Sequence, residues 1–442
     1  MTAGQLESAG SVAATTWRAR LRTDELLRGS AFIMATSVVT SLIGYAFWLL
    51  VDHSYPPAVS GAGAAAASLL QASALLASAG AGAAMMEWLP RCGTALEWRR
   101  RLTAGLLVAT AAATVGGVMT VVVVGRLLHA LAVLGTPMGG LLFCLGGVFL
   151  ALGVVIDDVA VCERRGGVML VRNTVFVAAR FPLLAVPWLW PGTADQILTA
   201  WIGASGLSLL VSVMALRHRV PHLDVRPSLG ALGTQLREMA GSFVGQHLIT
   251  VTAMLGAYLM PMLVVARVSA AANTYFYATW MLGSVFFMIS PAVSAALFAE
   301  AAIDPRHVDA LARRCVATIA ALLAVPMVVT LCGGGLLLGL FGPDYPAHGR
   351  LLLVLLTLSA VPDAVTNVAV SVLRATGRVR EAMWLNAGML LGYLALGWWL
   401  LPLLGIVGAG VAWVAVQSGG ALWALAHRRR IVSPAAATGV SA

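Results

Sequence analysis

The chain has 442 residues, 60 % of them hydrophobic and only 10 % charged, with 28 basic side chains against 18 acidic ones and a formal net charge of +10. A soluble domain is about half apolar and a quarter charged, so this composition excludes one and defines an all-α polytopic membrane protein. The basic excess is not a nucleic-acid footprint, because every basic residue is an arginine and almost all of them lie between apolar segments.

In chain order, residues 1–26 form a short polar tail. Four arginines, Arg18, Arg20, Arg22 and Arg28, precede the first apolar run, and no clear cleavage site follows before Tyr55, so that run is expected to be an uncleaved anchor. Twelve segments are long enough to cross a hydrocarbon core of about 30 Å. They cover residues 31–51, 61–86, 102–124, 137–156, 171–190, 196–216, 242–265, 273–298, 316–336, 351–373, 382–401 and 405–426. An even number of crossings puts both termini on one side.

Alternate connections differ sharply in arginine content. The connections and tails on the side of the N-terminus hold 24 arginines, the opposite connections hold only Arg126, Arg267 and Arg350, and Arg180 is left over. By the positive-inside rule the arginine-rich side is expected to be cytoplasmic, and a missed crossing would have scrambled the alternation. The polar connection 217–241, with Pro221 and Pro227, divides the chain into an N-lobe, 27–216, and a C-lobe, 242–426, followed by a tail, 427–442. Six helices per half imply parallel repeats with a substrate cavity between them. A faint repeat is visible: Arg165 to Asn173 and Arg378 to Asn386 share one spacing, each in the connection between the fourth and fifth helices of its half.

Cys92, Cys144, Cys162, Cys315 and Cys332 show neither a disulfide framework nor metal-ligand spacing. No phosphate loop, nucleotide-binding domain or nucleophile–base set is present, so no cofactor and no enzymatic activity are expected.

Intramembrane ionisable residues are the candidate functional positions, because burying them in hydrocarbon is expensive. Arg180 lies in the middle of the fifth segment. It is read either as a contact for an anionic substrate or as half of an internal salt bridge to Asp363 or Asp158. Asp363 follows Pro362 within the tenth segment and is a candidate for cation or proton coupling, or for pairing with an arginine. Asp157 and Asp158 end the fourth segment, where pairing with Arg164 and Arg165 is inexpensive. Asp52, with His53 and Tyr55, marks the outer end of the first segment as a gate or a solvated turn. His247, Gln246 and Asn273 are polar positions that could line a cavity or bond between helices. Pro182, Pro187, Pro261, Pro291, Pro326 and Pro362 are kink positions suited to hinges. Small-residue faces at 61–67 and 77–84 permit close packing, and Trp48, Trp88, Trp188, Trp190, Trp398 and Trp399 read as interfacial belt residues.

Several stretches, in order, carry a resemblance. They are residues 27–31, Phe47-Trp48, Tyr55-Pro56-Pro57, Glu87 to Arg91, Ile156 to Val159 with Arg164, Arg165, Arg172 and Asn173, Leu340 to Tyr345, Leu373 to Arg378, and Leu404 to Trp413. Over most of residues 26–427 the chain resembles the polysaccharide flippases of the multidrug/oligosaccharidyl-lipid/polysaccharide exporter superfamily. That resemblance implies two six-helix lobes around a central cavity in a bacterial plasma membrane. It implies a polyprenyl-pyrophosphate-linked glycan as substrate, flipped from the cytoplasmic to the outer leaflet. Polysaccharide polymerase and glycosyltransferases are the implied partners, besides membrane lipids. For such a substrate Arg180 is the first candidate for a pyrophosphate contact, since a guanidinium fork binds phosphate oxygens in pairs, and Arg28 could meet phosphate at the cytoplasmic mouth. A cation-coupled exporter of drug-like or natural-product molecules, and a non-transporting scaffold of a polysaccharide assembly complex, are the competing expectations. An acidic, aromatic cavity would favour the exporter.

Overall fold

A computed structural model describes residues 36, 38–127, 131, 134–185, 193–219, 228, 230–245, 247–303 and 308–432. These residues are helical almost throughout, with no strand among them. Eleven helical spans are long and apolar enough to cross a membrane, and Val38–Ser54 is a shorter apolar helix at the start of the described chain. The twelve segments expected from the sequence are thus found in order.

The first half contains α1 (Val38–Ser54), α2 (Pro57–Trp88), α3 (Ala95–Leu127), α4 (Pro137–Cys162), α5 (Gly166–Ala178), α6 (Arg180–Leu184) and α7 (Ala194–Arg219). The fifth crossing is therefore two helices with a break at Ala179. Pro182 explains the break, since it has no N–H to donate to the carbonyl four residues back. The second half contains α9 (His247–Arg267), α10 (Ala270–Ile303), α11 (Val308–Gly339), α12 (Tyr345–Ala375), α13 (Val379–Leu404), α14 (Ile406–Ala426) and the short α15 (Arg428–Val432).

Between the halves the sequence suggested only a polar connection, yet its end begins an amphipathic helix, α8 (Leu232–Gly245). Leu232, Leu236 and Met239 recur at helical spacing and pack against Met85, Leu89 and Trp98 of the first half. Arg101 of α3 fastens it, donating from Nε to Gln235 Oε1 at 3.2 Å while pairing with Glu97 at 2.7 Å.

Helix α2 is central, with 71 % of its most apolar window buried, against 17 % for the corresponding windows of α11 and α13, which face outward. Its Gly/Ala composition is what allows this position. Gly63 accommodates Ile197 of α7, and Gly82 lies under the Asp158 side chain of α4. Each half also has its own core: Leu70, Phe143 and Ile202 in the first, and Ile319, Val372 and Ala364 in the second. A third cluster joins Phe47, Trp48 and Trp201 to Phe341, Tyr345 and Leu353 across the halves.

The faint repeat of the sequence has a backbone counterpart. After α4, Arg164 is left-handed (φ 55°) and Arg165 N–H donates back to Ala160 O at 2.7 Å; after α12, Gly377 is left-handed (φ 79°) and Arg378 N–H donates to Leu373 O at 2.7 Å. Both are six-to-one closures of a Schellman motif, and in each the arginine caps the next helix.

Candidate functional site: a C-half cavity and a latch at the arginine-poor end

A cavity of about 720 Å³ lies between α2 and the helices of the second half, displaced from the midline expected for two equivalent lobes. Ser68 and Gln71 of α2 form one wall, and α9, α10, α12, α13 and α14 form the rest. It runs from mid-membrane toward the arginine-rich end, where Thr250, Arg374 and Asn386 line it. Its walls are mainly aromatic and neutral polar, with Asp363 and Arg374 the charged residues of the lining.

Asp363 is buried within α12, immediately after a proline. Its Oδ1 accepts from Gln417 Nε2 of α14 at 3.1 Å, and Gln417 Oε1 accepts from the Thr366 hydroxyl at 3.0 Å. The side chains of Ser290 of α10 and Asn367 of α12 also face this carboxylate. The sequence suggested an arginine partner for this carboxylate; the structure supplies an amide, which fixes its orientation without neutralising it.

Aromatic side chains of three helices meet beside it. Trp413 of α14 stands edge-on to Trp280 of α10 at 5.3 Å and to Tyr393 of α13 at 4.9 Å. Trp413 ends one of the stretches that carried the resemblance, but none of the three was a candidate site residue in the sequence. The available signal was their location inside apolar segments rather than at the ends.

At the arginine-poor end the halves are in direct contact. Asn273 Nδ2 of α10 donates to Gly61 O of α2 at 2.8 Å. A side chain at Gly61 would collide with the Ala270 carbonyl of α10. Asp52 of α1 accepts from Ser60 and from Thr274 of α10, and Tyr345 of α12 reaches the same carboxylate. Asp52 and Asn273, far apart in sequence, are thus one latch joining both halves. Around them Tyr275 stacks on His348 at 4.3 Å, and Tyr345 stacks on Phe341.

Arg180 is placed differently from expectation. It is 4 % exposed and does not line the cavity. Its guanidinium sits 3.8 Å from the Trp201 ring centroid, 4.0 Å from Phe176 and 5.6 Å from Phe47, with Tyr277 of α10 nearby. It pairs with neither Asp363 nor Asp158, so the expected salt bridge is replaced by an aromatic box. Stacked guanidinium–aromatic contacts are worth about 2 kcal/mol each when desolvated, and they use the planar face that lysine lacks. Arg180→Lys is therefore expected to lower stability by about 1–3 kcal/mol despite conserving charge. Thermal unfolding of the detergent-solubilised protein checks this; an unchanged transition would mean that the box contributes little.

Asp157 and Asp158 also depart from expectation. Asp157 takes two bonds from Arg172, the Nε contact at 2.7 Å, and a third from Asn173 at 2.9 Å, rather than pairing with Arg164 or Arg165. Asp158 instead points at the small-residue face of α2. Trp48 is not a belt residue: it is 3 % exposed and packs on Tyr277. Trp398 and Trp399 are exposed at the outer surface. Arg28, Gln246, Pro187, Trp188 and Trp190 lie outside the described residues, as does the side chain of His247.

Two lobes of crossing helices, a cavity reaching one face and a latch closing the other define a multi-pass membrane protein with the fold of the transporters of the MOP superfamily. Among particular structures, the lipid II flippase MurJ in an inward closed conformation matches with a TM-score of 0.71 and 10 % identity, covering 90 % of this chain and 87 % of that one. An inward-facing multidrug resistance MATE family transporter of the MOP superfamily matches with a TM-score of 0.69 and 11 % identity, covering 89 % and 94 %. An outward-facing conformation of a MATE family transporter of that superfamily matches with a TM-score of 0.58, at 13 % identity and 92 % and 95 % coverage. At these identities the likeness is one of fold. The sequence matches no protein-family model and no curated protein.

Proposed function

We propose that the chain is an alternating-access flippase of a lipid-linked oligosaccharide or polysaccharide precursor in a bacterial plasma membrane, with both termini and the arginine-rich face cytoplasmic. The observation that carries this reading is the cavity itself. It reaches the arginine-rich side, is closed on the other, and presents aromatic rings beside neutral hydrogen-bonding groups. Such a lining suits a glycan, which offers hydroxyls and apolar ring faces but no obligatory charge. Arg374, which lines the mouth, would meet the pyrophosphate, and Arg28, outside the described residues, is the further candidate for that contact. Polymerase and glycosyltransferases would act on the product and supply the substrate. The higher similarity to the two inward conformations than to the outward-facing one supports an inward arrangement.

One observation favours the second reading, a cation-coupled exporter of drug-like molecules: Asp363, without a cationic partner, is the carboxylate of the cavity, and Arg180 lies outside it. In the flippase reading the same carboxylate couples transport to an inorganic cation or proton, and Asp52 and Asp158 serve the gates.

Transbilayer movement of a fluorescent polyprenyl-pyrophosphate oligosaccharide in proteoliposomes tests the proposal. The native chain is expected to move it. Asp363→Asn, which keeps the Gln417 bond but not the charge, is expected to lower gradient-driven flux about tenfold or more, within the range of typical coupling free energies. Absence of flux from folded native protein, together with Asp363-dependent efflux of tetraphenylphosphonium, would establish the exporter instead.

A further inference from the structure

Beside Asp363 the cavity wall holds two hydrogen-bond donors with nothing to donate to. Tyr393 is 1 % exposed and its hydroxyl has no partner; the Trp413 indole Nε1 is buried and also has none. The rings are 4.9 Å apart, centroid to centroid. Trp413 lies one helical turn before Gln417, the residue bonded to Asp363, so the negative charge of the cavity is about one turn away along α14. All of these residues line the cavity. Buried polar groups are rarely left unsatisfied, and an exception beside a cavity marks a place for water or for a polar group of a ligand that displaces it.

The chemistry of the missing group follows from the donor and acceptor inventory. An indole N–H donates and cannot accept, so whatever satisfies Trp413 carries a lone pair. A quaternary or aromatic cation would answer the Asp363 charge and leave the indole N–H unpaired. A carboxylate or phosphate would answer the indole and be repelled by Asp363. A hydroxyl accepts from the indole without a charge for Asp363 to repel, and a ring bearing several hydroxyls has an apolar face to lie on Trp413 or Trp280.

We infer that Trp280, Tyr393 and Trp413, with Asp363, form a subsite for one uncharged pyranose residue of the transported head group. This deepens and rests on the reading of the cavity as a glycan path. It assigns specificity to the sugar and not to the pyrophosphate.

The test compares flux in proteoliposomes of three fluorescent probes: polyprenyl pyrophosphate without sugar, and the same lipid carrying one hexose or one N-acetylhexosamine. Trp413→Phe keeps an aromatic ring and removes the N–H; Tyr393→Phe removes only the hydroxyl. Each is expected to raise KM for a glycosylated probe about threefold to tenfold, the worth of one hydrogen bond, and to leave the sugar-free probe unchanged. Should Trp413→Phe fail to fold, Tyr393→Phe decides alone, because losing an unpartnered hydroxyl does not threaten packing. Native flux of glycosylated probes with no change in either variant would overturn the subsite and leave the flippase standing. Equal losses on all three probes would overturn it as well, since the residues would then only shape the cavity. No flux of any probe by folded native protein would overturn the flippase reading itself.

Discussion

Gly61→Val is expected to hold the protein open at its arginine-poor end and to stop net transport. The added side chain would occupy the space of the Ala270 carbonyl, a backbone atom that cannot rotate away, and it would push apart the Asn273–Gly61 bond. Overpacking of this kind costs about 1–3 kcal/mol. In the alternating-access cycle proposed above, the contact belongs to the state closed at this end, so the cost falls on one side of the conformational equilibrium and shifts it about 5- to 150-fold. Labelling of single cysteines introduced near His348 measures the shift; faster modification in Gly61→Val is the expected result, and equal modification would show that α2 and α10 do not form the latch. Asn273→Ala removes the bond without the collision and should move labelling in the same direction by less.

Arg172→Ala is expected to be among the most destabilising single substitutions in the described chain. Arg172 is 5 % exposed at its side chain and holds Asp157, itself 15 % exposed, in a two-bond fork that Asn173 completes. Removing one partner of a buried pair strands the other charge, at about 3–5 kcal/mol. The double variant Arg172→Met, Asp157→Asn should recover most of that loss, since it leaves no charge behind. Melting temperatures in detergent check both; a double variant as unstable as the single one would mean that side-chain shape, rather than charge, is what Arg172 supplies.

How much of this was readable in advance depends on the range of the interaction. The crossings were legible because hydrophobic burial in a bilayer acts through runs of about 20 residues, and the arginine alternation reports the same periodicity independently. The two-helix fifth crossing was hinted at by Pro182, but whether a proline kinks or breaks a helix depends on its neighbours. Asp363 was legible as an expensive intramembrane charge, whereas its partner Gln417 was not, because neutral amides are common in membrane helices and the pairing spans two of them. Arg180 shows the limit most plainly. Its position predicted that burial must be compensated, and the compensation came from the rings of Phe47, Phe176 and Trp201, which no charge count could have indicated. The Asn273–Gly61 contact joins residues 212 apart in sequence, and only the small-residue face of α2 announced that some backbone would approach there.

The matching Schellman closures after α4 and α12 fix a register between the halves, with Arg165 opposite Arg378 and Asn173 opposite Asn386. Carried along that register, the partners of the buried ion pair fall on Val370 and Leu385, and Asp363 falls on Leu150. In that register the ion pair of the first half has no charged counterpart in the second, and the carboxylate that lines the cavity has none in the first. Under the coupling proposed for Asp363, a change in cation concentration or membrane voltage would therefore act at a position of the second half whose counterpart in the first carries no charge.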